Sequence, residues 1–441
     1  MGLSRAKPAA EPQGLSARSA ALGALQALFF NERPLNEALD ASLAKAKLEP
    51  RDAAFARAMV MMVLRRLGQI DAVIAIFLRE PLPVRSGPAE LILRLAAAEL
   101  LFLDVAPHAA VSSAVNLADR DHRARHFKGL INAVARRIAA EGKALTSTQD
   151  VEHMNTPPWA WDAWTATYGE DTARGIAKTH LTEPPLDITV KNDAAAWAER
   201  LEAKILPTGT LRRAAGGRIE DLPGYAEGAW WIQDAAATIP VALLGPVKGK
   251  TVIDLCAAPG GKTAQLATLG AKVTAVDLAF ERMKRVMANL DRLNLKADIE
   301  VADLLAWRPN EPADAVLLDA PCTASGTVRR HPDVLWRKDL SDVTAQAAVQ
   351  QRLLAAAAEM VKPGGTLVYC VCSLAREECE DVVEAFLNAH SNFARAKLEP
   401  GEVFNQPQFI TTAGDLRTLP SQWPELGGLD GFYAARLRRT A

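Results

Sequence analysis

The chain has 441 residues, a formal net charge of −1, 49% hydrophobic and 23% charged residues, and five cysteines. That length exceeds one ordinary domain and predicts two or three. An odd, small number of cysteines excludes a disulfide framework and points to a reducing compartment.

The first twenty residues are rich in Ala, Pro and Ser and lack a continuous apolar core. Residues 1–15 therefore read as a disordered tail and not as a signal peptide. No apolar run continues long enough without a charge to span a bilayer, so a cytoplasmic, membrane-free monomer is expected. The charge is unevenly spread: residues 1–145 carry 20 Lys+Arg against 14 Asp+Glu, and the rest carry 31 against 38. A basic N-terminal part suits a polyanion partner, although on charge alone a solvated helical surface explains it more simply.

Residues 16–145 read as an all-α bundle, rich in Ala and Leu with charges at helical spacing. "PAELILRLAAAELLFLD" is apolar nearly all round and predicts a central, buried helix. Residues 146–245 read as a small α+β domain. "NTPPWAWDAWTATYG" supplies tryptophans better suited to packing than to base stacking, and "PPLDITVKND" predicts a strand ending in a turn. Residues 246–441 alternate apolar strands ("KTVIDLCA", "KVTAVDL", "ADIEVADL", "ADAVLLDAP", "GTLVYCVC") with helices. This predicts an α/β domain with a parallel sheet covered on both faces, and "DGFYAARLRR" is expected to close it as an edge strand.

"VIDLCAAPGGKT" is a strand, a Gly-rich turn and a helix start. Gly260 and Gly261 allow close backbone approach to a ligand at the helix N-terminus. Asp277 ends the next strand, where a carboxylate suits ribose hydroxyls. The turn is neither G-x-G-x-x-G nor a P-loop, so an adenosine ligand without a diphosphate fits better than NAD. Asp303 ends the third strand, positioned either to meet an adenine amino group or to cap a helix. "LLDAPCTASGTVRRHPDVLW" places Asp319 and Cys322 at the end of the fourth strand, with Arg329, Arg330 and His331 as a basic cluster nearby. Cys372 leaves the following strand and is expected at the same sheet edge. Two thiols and a carboxylate would then face one cleft, although "DAPC" taken alone also fits a structural turn.

"DLCAAPGGKT", "ERMKRVMANLDRLN", "LLDAPC", "RRHPD", "GGTLVYCVCS…EE" and "DGFYAARL" occur in the order of one family. Residues 249–437 resemble the Rossmann-like class I catalytic domain of the Sun/Nop2 (Fmu) RNA cytosine-5 methyltransferases. "PRDAAFARAMVMMVLRRLGQID", "PHAAVSSAVNLA" and "KGLINAVARRI" resemble a NusB-like RNA-binding domain. The pairing is similar to bacterial 16S rRNA cytosine-5 methyltransferases. The resemblance implies S-adenosyl-L-methionine as cofactor and RNA, 16S rRNA or a small-subunit precursor, as partner. It implies Cys372 as nucleophile on C6 of cytosine, Asp319 as a ring contact, and Cys322 as the residue assisting proton loss and release. Cofactor positions would be Cys256, Ala257, Ala258, Pro259, Gly260, Gly261, Lys262, Asp277, Arg282, Asp303 and Asp319.

The chain departs from the family pattern at Cys370-Val371 before the nucleophile, at Arg376 in place of Pro, and at Thr189 and Lys191 in place of an Arg-x-Asn element. Cys370-x-Cys372 lacks structural-zinc spacing, and a zinc deaminase would need H-x-E and P-C-x-x-C, so no metal is expected. Cys370 and Cys379 are expected to be packing residues. Two alternatives stand beside the enzyme: a non-catalytic RNA-binding or ribosome-assembly factor, and the same chemistry on tRNA.

Overall fold

The computed structural model describes residues 14–440. The tail expected at residues 1–15 lies almost wholly outside the described residues, but Leu15 opens a helix and is buried. The chain divides into two compact units. One runs to Trp161 and includes the distant segment His331–Arg337; the other comprises Asp162–Arg330 and the chain from Lys338 onward.

The first unit is helical. Its main helices are α1 (Leu15–Asn31), α2 (Leu35–Ala46), α3 (Pro50–Arg65), α4 (Leu67–Phe77), α5 (Ala89–Phe102), α6 (Pro107–Arg120) and α7 (Lys128–Thr146). As its all-round apolar pattern predicts, α5 is the central helix, with eleven of its fourteen residues buried. One of those is Glu99, which burial pushes above the ordinary carboxyl range while Arg18 opposes the shift. Arg18 Nε donates to its carboxylate at 3.0 Å, pinning α1 to α5. The segment His331–Arg337 is held by directional bonds: Trp336 Nε1 donates to Leu64 O at 2.9 Å, and Asp333 accepts from Leu35 N at 3.2 Å.

The second unit contains two sheets. The smaller is antiparallel, with strands β1 (Leu186–Val190), β2 (Lys204–Ile205), β3 (Leu211–Arg213) and β4 (Trp230–Ile232) in the order β2-β3-β1-β4. Trp230 of β4 is fully buried, and so is Trp164 of "NTPPWAWDAWTATYG", which agrees with the packing role expected there. Asp187 and Arg212 sit opposite each other across β1 and β3 and form a buried bidentate pair at 2.6 and 2.7 Å. Arg212 also donates to the carbonyls of Leu426 and Gly428, and Asp187 accepts from Ala235 N. One ion pair thus ties this sheet to two further loops.

The larger sheet has β5 (Thr251–Leu255), β6 (Lys272–Asp277), β7 (Asp298–Val301), β8 (Ala313–Asp319), β9 (Val361–Val371), β10 (Phe393–Arg395), β11 (Leu416–Thr418) and β12 (Phe432–Arg439). The order is β10-β12-β9-β8-β5-β6-β7, with β11 also pairing β12. Strands β5 to β9 are mutually parallel, but β12 runs antiparallel to β9, so the sheet is mixed. The expectation of an edge strand at "DGFYAARLRR" is corrected: β12 is interior, with β9 on one side and the short β10 and β11 on the other. Three-residue strands carry too little periodicity to be read from sequence, so β12 looked unpartnered. No described helix is long and apolar enough to cross a membrane.

Candidate active site

β5 has β6 on one side and β8 on the other, so the chain order reverses there. Open α/β sheets bind ligands outside the strand carboxyl ends at such a reversal. Cys256 to Gly260 leave β5 at that point and lead into the helix Gly261–Thr268. Gly260 has a φ of 100°, and a Cβ there would lie 3.1 Å from Val286, so both conformation and space demand glycine.

Asp277 ends β6 almost fully buried and accepts from the N–H groups of Ala258 at 3.2 Å and Ala279 at 3.1 Å. Arg282 donates to Ala258 O at 2.9 Å and lies 3.4 Å from the Asp277 carboxylate. These bonds fix Ala257, Ala258 and Pro259 in a firm turn. Asp303 is exposed after β7 and accepts from Leu305 N at 2.9 Å, which makes it the cap of the following turn.

Asp254 is a member of this site that sequence reasoning does not single out. It is fully buried in β5, accepts from the Thr263 hydroxyl at 2.5 Å, and leaves Oδ1 without a hydrogen-bond partner. Burial pushes its carboxyl up to about 7, with the Asp319 and Asp277 charges acting in the same direction. The Cys256 thiol is pushed up to about 12 by burial and by the same carboxylates, so it is unreactive. Lys262 donates to Asp319 Oδ2 at 2.7 Å. Burial works against the Lys262 ammonium, but the Asp319 charge outweighs it and keeps the group protonated.

The two thiols meet because the loop after β8 follows the end of β9. Asp319 is in register with Cys370, Ala320 N donates to Cys370 O, and Gly326 N donates to Cys372 O. This brings Cys322 Sγ to 3.5 Å from Cys372 Sγ. The bond to Cys372, followed by burial, holds the Cys322 thiol well above its ordinary range. Both effects favour the neutral Cys322 thiol, and either sulfur can donate in the contact between them. Cys370 is buried and its thiol donates to Asp319 Oδ1 at 3.5 Å, a contact its expected packing role does not include. Cys379 is buried at the cap of the helix Glu380–Ala389. Burial raises the thiols of Cys370 and Cys379 alike.

Arg329 and Arg330 do not form the basic cluster expected beside the thiols. Arg329 is fully buried between Asp234 and Asp430, and Arg330 pairs with the same two carboxylates. His331 belongs to the helical unit. At the missing Arg-x-Asn element, Lys191 donates to Leu293 O at 2.9 Å. Among the described residues no group of three His, Cys, Asp or Glu side chains converges to hold a metal ion.

Residues 241–438 match the family described as 16S rRNA methyltransferase RsmB/F, and residues 15–140 match the NusB family. A relative from Pseudomonas syringae pv. tomato named ribosomal RNA small subunit methyltransferase B is 33% identical, covering 97% of this chain and 98% of its own. The chain belongs to the RsmB/F family. A second relative of the same name, from Xylella fastidiosa, is 35% identical over 96% of this chain and 98% of its own. The solved structure of PH0851 superposes with a TM-score of 0.78 at 26% identity, covering 98% of this chain and 100% of that one. The fold is thus a NusB-type helical domain joined to an RsmB/F methyltransferase domain of Rossmann-like architecture. The two thiols, the Gly-rich turn and Asp277 all lie in the RsmB/F-matched segment.

Proposed function

We propose that this chain methylates C5 of a cytosine in 16S rRNA, with S-adenosyl-L-methionine as methyl donor and a covalent Cys372–C6 adduct on the path. The observation that carries this reading is the thiol pair, 3.5 Å apart at the carboxyl end of the sheet, with Asp319 in β8 and the turn after β5 beside it. The RsmB/F relatives point to small-subunit rRNA as the substrate class.

The pocket chemistry fits this cofactor. The Asp277 and Asp319 charges both act on the buried Asp254, with Lys262 as the buried cation among them. Such an acidic site favours a ligand with a sulfonium and an ammonium and repels a diphosphate. Cys256 to Lys262 would line the adenosyl end, Asp277 would take the ribose hydroxyls with Arg282 at its rim, and Asp303 would stand near the adenine. When bound, the cofactor supplies an electrophilic methyl group.

The chain's own residues do the rest. C5 of cytosine is a poor nucleophile until sulfur adds to C6 and enriches C5 with electrons. Cys372 forms that bond, and Cys322 lends its thiol proton as a hydrogen bond to the attacking sulfur. Asp319, oriented by Lys262 and Cys370, contacts the ring near N3. After transfer the C5 proton passes to solvent water, the C5–H electron pair forms the C5=C6 double bond, and the C6–S electron pair returns to the Cys372 sulfur. Cys322 assists this half-reaction and stabilises the departing sulfur. The target base must be single-stranded or flipped out for C6 to be reached.

Wild-type protein incubated with labelled S-adenosylmethionine and unmethylated 16S rRNA is expected to transfer label to a cytosine that bisulfite mapping locates. Absence of transfer to rRNA, free or in the small subunit, overturns the 16S assignment, and absence of transfer to tRNA as well sinks the enzyme reading in favour of a non-catalytic assembly factor. Asp277→Ala removes the proposed ribose contact and the clamp on Ala258. A charged hydrogen bond contributes about 1.5–3 kcal/mol, so the cofactor Kd should rise roughly 10- to 100-fold. Equilibrium binding measures this directly, and an unchanged Kd removes Asp277 from the cofactor site.

A further inference from the structure

We infer that Glu378 is a positioning residue that locks the two cysteine-bearing loops in register. The inference rests on the C5-methylation reading above.

Glu378 touches neither thiol, yet it bonds the residue following each one. Thr323, next to Cys322, donates its N–H to Oε1 at 2.8 Å and its hydroxyl to Oε2 at 2.5 Å. Ser373, next to Cys372, donates its hydroxyl to Oε2 at 2.5 Å. Gln350 Nε2 donates to Oε1 at 3.0 Å and also to Pro321 O at 2.8 Å, on the other side of Cys322. All four donors to the carboxylate are neutral, and Glu378 is fully buried.

A buried carboxylate held only by neutral donors is an expensive choice for stability alone, because apolar residues fill such a space at less cost. Its geometry gives it a different use. Thr323 and Ser373 lie fifty residues apart in sequence and converge on one oxygen, so the spacing of their neighbours Cys322 and Cys372 is set by a single group. Its own backbone is anchored in turn, since Tyr369 Oη donates to Glu378 O at 2.6 Å. The carboxylate charge also adds to the effects that keep the Cys322 thiol protonated, behind the Cys372 bond and burial.

The test compares Glu378→Ala with Glu378→Gln in the full-length chain. Alanine frees both loops. Glutamine keeps an acceptor for the two N–H donors, and the two hydroxyls can reverse to accept from its amide. A displacement of about 1 Å at a reacting group lowers turnover roughly 100-fold. Glu378→Ala should therefore lower kcat by about that factor, with the cofactor Kd and the KM for RNA unchanged within about twofold. Glu378→Gln should recover most of the loss.

Dibromobimane, which fluoresces on bridging two neighbouring thiols, reads the register without RNA or cofactor. Bridging of Cys322 to Cys372 should fall in the alanine variant and return in the glutamine variant. Should Glu378→Ala fail to fold, Thr323→Val and its hydroxyl-bearing counterpart Thr323→Ser make the same comparison. Wild-type kcat and bridging in Glu378→Ala or Thr323→Val overturn the positioning role, whatever the substrate. A wild type that bridges normally but methylates no cytosine overturns the C5 reading, and the loss of bridging in the variants then judges the clamp separately.

Discussion

Cys322→Ala is expected to accumulate a covalent protein–RNA adduct, and Cys372→Ala is expected to form none. The difference follows from what each sulfur does. In the proposed reaction Cys372 makes the bond to C6, so without it neither addition nor transfer begins. Loss of a nucleophile that works as one unit with its partner lowers turnover by roughly 10⁴-fold or more. Cys322 holds its proton because the adjacent sulfur and burial keep its thiol well above the ordinary range. In the proposed reaction it is therefore the hydrogen-bond donor and not the attacking group. Its removal leaves addition possible and slows release, so the adduct survives denaturing electrophoresis. An adduct in Cys372→Ala but not in Cys322→Ala reverses the two roles.

Asp234→Ala is expected to destabilise the second unit by about 3–5 kcal/mol, the cost of leaving buried charges without their partner. Asp234 is almost fully buried, pairs with Arg329 at 3.0 Å and with Arg330, and accepts from the N–H groups of Ala236 at 2.8 Å and Asp430 at 3.1 Å. Burial raises its carboxyl, but the Arg330 and Arg329 charges outweigh that and hold it below its ordinary value. Removing it strands the fully buried Arg329 with Asp430 as its remaining carboxylate partner. For a unit of this size the loss corresponds to roughly 10 °C in Tm. Calorimetry of the full chain should show the later fall confined to one of two transitions, and a shift under about 2 °C would mean the cluster relaxes onto solvent. Asp234→Asn retains the N-cap and should cost less.

The same cluster shows where a sequence misleads. "RRHPD" reads as a basic patch because adjacent charges are usually solvated. Its neutralising partners, Asp234 and Asp430, lie about a hundred residues away on either side, and nothing local announces them. The edge-strand expectation for "DGFYAARLRR" failed for a related reason: three-residue strands have no period to detect. By contrast, α5 was legible because an all-round apolar pattern admits only a buried helix.

The sequence by itself determined the helical N-terminal domain, the α/β domain, the Gly-rich turn with Asp277, and the candidate residues Cys322, Cys372 and Asp319. These rest on local patterns and motif order, which a linear chain displays directly. Only the tertiary structure decided that the two sulfurs lie 3.5 Å apart, that Cys370 touches Asp319, and that Glu378 joins the two thiol loops. Those facts depend on strand register and loop packing between segments about fifty residues apart. Pairing energies of that kind are set by partners, and no residue carries its partner's position in its own neighbourhood.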